Sequence, residues 1–164
     1  MRRNAAISED GIYRYSLERD WSARKQRCIF VMLNPSTADA EKDDPTIRRC
    51  IGFAKQWKCG GLTVLNLFAF RCTNPKELFK SDDSVGPEND AYVEAAFQVL
   101  TDPLVVFAWG SNAKRAEWRV QQVELLAKRN GIRTFALGVT KNGQPIHPLY
   151  QPKITTLRRW RRYA

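Results

Sequence analysis

The chain has 164 residues, of which 43% are hydrophobic and 27% are charged, a balance typical of one globular domain rather than of a disordered chain. It carries 27 lysines and arginines against 17 aspartates and glutamates, a net charge of +10, which favours a polyanionic partner such as nucleic acid. The N-terminal residues lack the apolar run of a secretory signal, and no apolar run approaches the ~20 residues of a membrane span. We therefore expect a cytoplasmic protein that forms one domain over residues 1–164 and does not enter a membrane.

Four short apolar runs predict the strands of a sheet. Residues 1–27 precede them as an N-terminal extension, in which Ile12 to Leu17 can add an edge strand. The four runs are CIFVML from Cys28, LTVLNL from Leu62, LVVFAW from Leu104 and IRTFA from Ile132. The first three are almost continuously apolar, which is typical of strands that are covered on both faces.

Helical patterns separate these strands. The first helix is predicted after Asp44-Pro45, because Asp44 can cap it and Pro45 suits its first turn. Two further apolar stripes run from Tyr92 to Leu100 and from Ala116 to Ala127. The alternation of strands and helices predicts an α/β fold, a three-layer α/β/α sandwich around a four-stranded parallel sheet. The tail over residues 153–164 is predicted to form a short basic helix.

The four cysteines do not form a recognisable metal site. No two of Cys28, Cys50, Cys59 and Cys72 have C-x-x-C spacing, so free thiols in a reducing compartment are the expectation. We accordingly expect no metal and no other cofactor.

Polar residues follow the predicted strands where each strand ends, which is where open α/β sheets bind their ligands. Asn34-Pro35-Ser36-Thr37 follows the first strand, and Asn66 lies at the end of the second, shortly before Phe68 and Phe70. Ser111 and Asn112 follow the third strand. These residues have structural interpretations as well, since Asn34 or Ser36 could cap a turn and Asn66 could tie down a loop.

The only histidine, His147, lies in a loop bracketed by prolines at 145, 148 and 152. Apart from the cysteines, no other side chain has an ordinary pKa near neutrality. The loop is therefore a candidate for acid–base or leaving-group chemistry, although a surface histidine in a rigid loop has the same sequence. An amide such as Asn34 could position a water molecule but could not take its proton.

Four segments, taken together, resemble the uracil-DNA glycosylase superfamily. Asn34-Pro35 resembles the first motif of its mismatch-specific branch, and residues 57–67 (WKCGGLTVLNL) resemble the strand that ends in LLLN. Residues 105–113 (VVFAWGSNA) resemble the strand VFLLWGxxA, and His147-Pro148-Leu149 resembles the His-Pro-Ser loop. The chain is still more similar to an uncharacterised bacterial and phage family with NPST and HPL loops, known only as a domain of unknown function.

The glycosylase resemblance implies a sheet order of 2-1-3-4 and cleavage of the N-glycosidic bond of a modified or mispaired base that is flipped into a pocket. His147 would stabilise the departing base, Asn34 would hold the attacking water, and Asn66 would recognise the base. The remaining substrate contacts would come from Pro35, Ser36, Thr37, Phe68, Phe70, Leu149 and Tyr150. Nucleic-acid phosphates would be bound by Ser111, Asn112, Lys114, Arg115, Arg158, Arg159, Arg161 and Arg162.

This sequence departs from the glycosylase pattern at three places. Ser36 replaces the tyrosine that excludes the methyl group of thymine, and Leu149 replaces the usual serine. Residues 37–44 are acidic, and Asp39 or Asp44 is a candidate general base that the family pattern does not supply. Two alternatives therefore stay open beside a monomeric DNA glycosylase: a non-catalytic nucleic-acid-binding module on the same fold, and an enzyme that acts on free nucleosides or nucleotides.

Overall fold

The computed structural model describes residues 1–161 and contains a mixed sheet of seven strands with four α-helices. The strands are β1 (Arg2–Ile7), β2 (Arg14–Asp20), β3 (Arg27–Met32), β4 (Gly61–Asn66), β5 (Leu104–Phe107), β6 (Thr134–Ala136) and β7 (Arg158–Arg159). The helices are α1 (Pro45–Gln56), α2 (Pro75–Leu78), α3 (Asn89–Val99) and α4 (Glu117–Arg129). Two 3₁₀ turns cover Ser111–Ala116 and Pro148–Tyr150.

The sheet has the order β1-β2-β4-β3-β5-β6-β7. Its four inner strands, β4, β3, β5 and β6, are parallel, and each overlaps one of the four apolar runs. When these four strands are numbered by their order along the chain, they lie side by side in the sheet as second, first, third and fourth. The outer strands β1, β2 and β7 pair antiparallel, so the expected four-stranded sheet is extended at both edges.

Strand β3 shows why the sheet is covered on both faces. Ile29 and Val31 pack into a core that also contains buried residues of α3 and α4. Cys28 and Phe30, which alternate with them, pack into a second core that contains buried residues of α1. Because neighbouring side chains of a strand point to opposite faces, the continuous apolar run supplies both cores and gives three layers, α1 on one face and α3 with α4 on the other.

The helix predicted after Asp44-Pro45 is confirmed as α1. Asp44 is its N-cap and accepts a hydrogen bond from Ile47 N–H at 2.8 Å, and Pro45 occupies the first turn. The two other predicted stripes lie in α3 and α4, and α4 ends before Asn130 and Gly131, the latter with φ of +66°. Such a left-handed residue commonly ends a helix.

The N-terminal residues contribute more to the sheet than the sequence predicted. One edge strand was expected within residues 12–17, but β1 and β2 form an antiparallel hairpin and β2 pairs with β4. Arg19 of β2 joins the hairpin to the segment that precedes α1. Its side chain is fully buried, and its Nε lies 2.9 Å from Asp43 Oδ1.

The prediction of a basic C-terminal helix is wrong over residues 153–161. This stretch contains β7, which pairs with β6. Trp160 accounts for the extended conformation, because its ring is buried in the core and its Nε1–H donates to Glu124 Oε1 at 3.0 Å. Its backbone N–H also donates to Thr134 O at 2.8 Å. Arg162 lies outside the described residues. Among residues 1–161, no helix is long and apolar enough to cross a bilayer.

Candidate functional site

A cavity of about 390 Å³ opens between the carboxyl ends of β3 and β5. The chain leaves β3 toward β4 on one side and returns to β5 on the other, and α/β sheets bind ligands at such a reversal of strand order. We refer to this space as the site cavity. The sequence-predicted residues that line it are Asn34, Ser36, Asp44, Ser111, Asn112, His147 and Tyr150.

His147 is held in one orientation by the loop around it. Its Nδ1 accepts a hydrogen bond from Leu149 N–H at 3.3 Å, which leaves the proton of the neutral ring on Nε2. Burial lowers the pKa of His147, while the negative charge of Asp44 opposes that shift. The ring is therefore neutral at neutral pH and offers Nε2–H as a hydrogen-bond donor.

Asn34 is anchored by its amide nitrogen. Nδ2 lies 2.8 Å from Cys72 O and 3.0 Å from Pro35 O, so both of its hydrogens are used. Cys72 also lines the site cavity. Burial raises the pKa of its thiol, and the charge of Glu77 raises it further, which keeps the thiol protonated and makes it a poor nucleophile.

The two carboxylates proposed as bases lie in different surroundings. Asp44 lines the site cavity while its Oδ1 caps α1. Asp39 does not line the cavity, and its Oδ1 accepts from Glu41 N–H and Lys42 N–H, each at 2.8 Å. These backbone hydrogen bonds lower the pKa of Asp39, which suits a residue that shapes a loop better than one that takes up a proton.

Asn66 does not line the site cavity, contrary to the expectation that it joins Asn34 and His147 there. The hydrogen-bond ladder continues past β4, since Leu67 N–H donates to Met32 O at 2.8 Å and Phe68 N–H to Leu33 O at 2.9 Å. Asn66 is consequently inside the sheet rather than at its edge. Its side chain is fully buried, and neither amide atom has a partner within residues 1–161.

Trp109 lines the cavity beside Tyr150, whereas the two phenylalanines expected there do not. Phe68 is buried and meets Phe79 and Trp118 edge-on, and Phe70 packs edge-on against Tyr13. Trp109 lines the cavity and is oriented by a hydrogen bond from Nε1 to Gln144 Oε1 at 2.9 Å. Trp109 belongs to the apolar run LVVFAW, and the apolar character of that run predicted a strand but did not indicate that the tryptophan lines a cavity.

Gly110 lets the loop of His147 approach the end of β5. Its φ is +82°, and a Cβ built on it would lie 3.3 Å from the Cβ of His147. Gly110 N–H also donates to Pro145 O at 2.9 Å. Any other residue would be strained by the left-handed backbone and would press against the histidine.

The other predicted contacts lie outside the site cavity. Pro35 is buried and Thr37 is exposed. Leu149 lines a neighbouring groove with Arg48, Arg49, Lys153 and Ile154 on the outer side of α1. The remaining basic residues proposed to bind phosphate are exposed but do not line the cavity: Lys114 and Arg115 in the 3₁₀ turn after β5, Arg158 and Arg159 in β7, and Arg161.

Arg14, at the start of β2, is a cavity residue that the sequence did not indicate. It is 2% exposed, and Nη1 donates to Ala38 O at 2.8 Å. Burial lowers the pKa of Arg14 to about 10, so the guanidinium is still charged at neutral pH. Arginines are almost always exposed unless paired, and the sequence around this one carries no sign of its burial.

No group of three or more metal-ligating side chains occurs in the part of the chain that the structure describes. No curated protein and no solved structure matches the chain. A family model, "Protein of unknown function (DUF1643)", matches residues 14–149, from the buried arginine to the loop of His147. The match covers most of the chain and every side chain that lines the site cavity except that of Tyr150. The protein therefore belongs to the DUF1643 family.

Proposed function

We propose that this protein is a DNA glycosylase-like hydrolase that cleaves the N-glycosidic bond of a modified or mispaired base held in the site cavity. The observation that carries the proposal is that His147 and Asn34, distant in sequence, line one cavity together with Asp44. The volume of about 390 Å³ falls in the range of small-molecule sites. The resemblance of four segments to uracil-DNA glycosylases supports the same chemistry.

His147 would act on the leaving base. When the N-glycosidic bond breaks, its electron pair stays on the base, which becomes negative. A neutral imidazole with its proton on Nε2 can donate a hydrogen bond to that charge, because Nδ1 is already occupied by Leu149 N–H. Such a donor in a site prepared for the transition state contributes about 3–4 kcal/mol.

Asn34 and Asp44 would act on the attacking water. The amide nitrogen of Asn34 is used by Cys72 O and Pro35 O, so its oxygen remains to accept a hydrogen bond from water. The oxygen of that water forms the new bond to the sugar carbon, and its proton passes to the carboxylate of Asp44. Asp44 also carries negative charge that would favour the positive charge developing on the sugar.

Recognition of the base cannot rest on Asn66, which is buried away from the cavity. Ser111 and Asn112 supply hydrogen-bonding groups at the cavity wall, and the ring of Trp109 supplies an aromatic surface. Base-flipping enzymes hold the extruded base by these two kinds of contact. We therefore assign recognition to the segment that follows β5.

The surroundings of the cavity suit a nucleic acid. Tyr150 is 81% exposed at its rim, and its ring centroid lies 5.7 Å from that of His147. An exposed aromatic side chain in this position can fill the gap that a flipped base leaves in the duplex. Arg48, Lys114 and Arg115 are exposed nearby, and the net charge of +10 favours contact with phosphates.

The test is incubation of the protein with duplexes that each contain one modified or mispaired base, followed by alkali, which cuts the strand at an abasic site. Strand scission with one of the duplexes, and its loss in His147→Ala, is the expected result. Tight, salt-dependent binding to every duplex without scission would overturn the enzymatic proposal and favour the non-catalytic binding module.

A second candidate, an enzyme that acts on free nucleotides, is favoured by one observation. Arg14 brings a buried positive charge to the cavity wall, where it could pair with the phosphate of a nucleotide. Release of base from nucleoside monophosphates, without release from any duplex, would select this candidate.

A further inference from the structure

Three arginines in the described chain are almost completely buried, and they differ in how their charge is balanced. Arg19 pairs with Asp43 at 2.9 Å, and Arg119 pairs with Asp90 at 2.7 Å. Arg14 is buried to the same degree but has no carboxylate within ion-pair distance among residues 1–161. It is also the only one of the three that lines the site cavity.

The hydrogen bonds of Arg14 are also incomplete. A guanidinium has five N–H donors, and the bond from Nη1 to Ala38 O is the one that this side chain makes within residues 1–161. Nε is buried and has no partner there. An unpaired buried charge is costly, and buried charges in proteins are normally paired and hydrogen-bonded.

Charged groups farther away do not complete the pair. Asp44 and Asp39 attract the charge of Arg14, whereas Arg71 and Arg19 repel it. Asp44 lines the same cavity, but its carboxylate is not within ion-pair distance of Arg14, and its Oδ1 accepts from Ile47 N–H at the start of α1. An anionic group of a ligand in the cavity would supply the charged partner that Arg14 lacks among residues 1–161.

We infer that the site cavity binds a negatively charged group of its ligand, and that Arg14 is the residue that pairs with this anion. The inference rests on the proposed function only in taking the cavity as the ligand site. The anion has two sources under that proposal, the phosphate of a nucleotide and the ring of a base that departs with its bonding electrons. In the second case Arg14 shares the stabilisation of the leaving group with His147.

Two small anions distinguish these sources in a thermal-denaturation titration at neutral pH. Inorganic phosphate represents the phosphate, and barbiturate, a planar ring that is an anion at neutral pH, represents the departing base. Uracil, a neutral ring of similar shape, and sodium chloride at matched ionic strength are the controls. The variants are Arg14→Met, Arg14→Lys, which keeps the charge, and Arg24→Met, an exposed arginine at the opposite end of β3.

At least one anion should raise the Tm of the wild-type protein in a saturable way, by about 5–10 °C at a hundredfold excess over its Kd. The shift should be lost in Arg14→Met, reduced in Arg14→Lys and retained in Arg24→Met. A shift with phosphate alone identifies a nucleotide phosphate, a shift with barbiturate alone identifies the departing base, and a shift with both still supports the anion site.

Absence of a shift with either anion in the wild-type protein would overturn the inference, and so would an equal shift in Arg14→Met. The titration does not depend on catalysis. Anion binding without release of base in the duplex assay would overturn the proposed function and leave this inference standing. Release of base without any anion-dependent shift in Tm would overturn this inference and leave the proposed function standing.

Discussion

Asn34 Nδ2 donates to the backbone carbonyl of Cys72 at 2.8 Å, and this bond joins the loop after β3 to the segment after β4. The same nitrogen lies 3.0 Å from Pro35 O. The oxygen of the amide is thereby turned away from both carbonyls. The orientation of the side chain depends on its being an amide, since a carboxylate in its place would have no hydrogen to donate.

Asn34→Asp should therefore destabilise the protein. The new carboxylate oxygen would face two carbonyl oxygens, at a cost of about 1–3 kcal/mol, and Tm should fall by about 2–10 °C. The control is Asn142→Asp, which removes an exposed amide hydrogen bond to Ser111 O of 3.0 Å. If thermal denaturation gave Asn34→Asp the stability of the wild-type protein, the anchoring role of the amide would be wrong.

His147→Ala should lower the rate of base release by ~10²–10³, the usual effect of losing one donor to the transition state. The measurement is single-turnover cleavage of the best duplex substrate. The Kd for that duplex should stay within about threefold of the wild-type value, because the histidine is assigned to the base and not to phosphate. Cleavage at the wild-type rate would remove His147 from the mechanism.

Stability should fall with acidification near pH 6.5 because of His147 alone. Burial lowers the pKa of this histidine in the folded state, so the unfolded chain takes up a proton first as the pH falls below the ordinary value of about 6.5. The free energy of unfolding should be level above that pH and decrease below it. Since the chain has one histidine, His147→Gln should abolish this slope between about pH 7.5 and 5.5 in denaturant titrations. A wild-type slope of opposite sign would contradict the shift.

Arg14 and Arg19, the two buried arginines that contact the acidic segment of residues 37–44, should respond differently to replacement by methionine. Arg19→Met breaks the pair with Asp43 and removes the donor to the carbonyls of Glu18 and Asp39. It should cost about 3–5 kcal/mol, because the half-buried carboxylate of Asp43 keeps only the more exposed Arg3 as a charged partner. Arg14→Met removes a charge without a close partner and should leave Tm unchanged or raised in the absence of ligand. Denaturation of both variants beside the wild-type protein checks the contrast, which would fail if Arg14→Met were the less stable of the two.

The salt dependence of DNA binding should come from cations at the cavity end of the strands. Replacement of Arg48, Lys114 and Arg115 by alanine should weaken binding and reduce the slope of log K against log salt by about 0.9 for each lost phosphate contact. The matched control replaces three exposed cations at the opposite end of the parallel strands, Arg24, Lys25 and Arg133, by alanine and should change neither the affinity nor the slope. Equal effects of the two sets would show that binding follows net charge alone.

The parallel strands and α1 could be predicted because their signals are local. An apolar run such as that from Cys28 needs both faces covered wherever it lies, and Asp44-Pro45 favours the start of a helix by its own conformational preferences. Asn34 and His147 could be expected at one cavity because both follow predicted parallel strands, whose carboxyl ends lie at one edge of the sheet. These features depend on rules that hold regardless of what the neighbouring segments do.

The rest depended on contacts between segments that are distant in sequence. Asn66 was expected at the sheet edge, but pairing of Leu67 with Met32 extends the ladder and encloses it. Trp160 is buried in the core, and the adjacent residues Arg158 and Arg159 pair with β6 as a strand instead of forming a helix. Arg14 is buried although arginine is ordinarily exposed. In each case the conformation depends on a contact with another helix, strand or loop, and the local sequence pattern carries no information about that contact.

The solitary histidine also makes the site cavity directly observable in solution. Its ring is the sole source of imidazole resonances in the NMR spectrum of the full chain, since no other histidine is present. Those signals need no assignment by mutagenesis, and they originate at the wall of the cavity. A small molecule that enters the cavity should shift them, whereas one that binds at the far end of the sheet should leave them in place, so ligand screening and localisation become a single measurement.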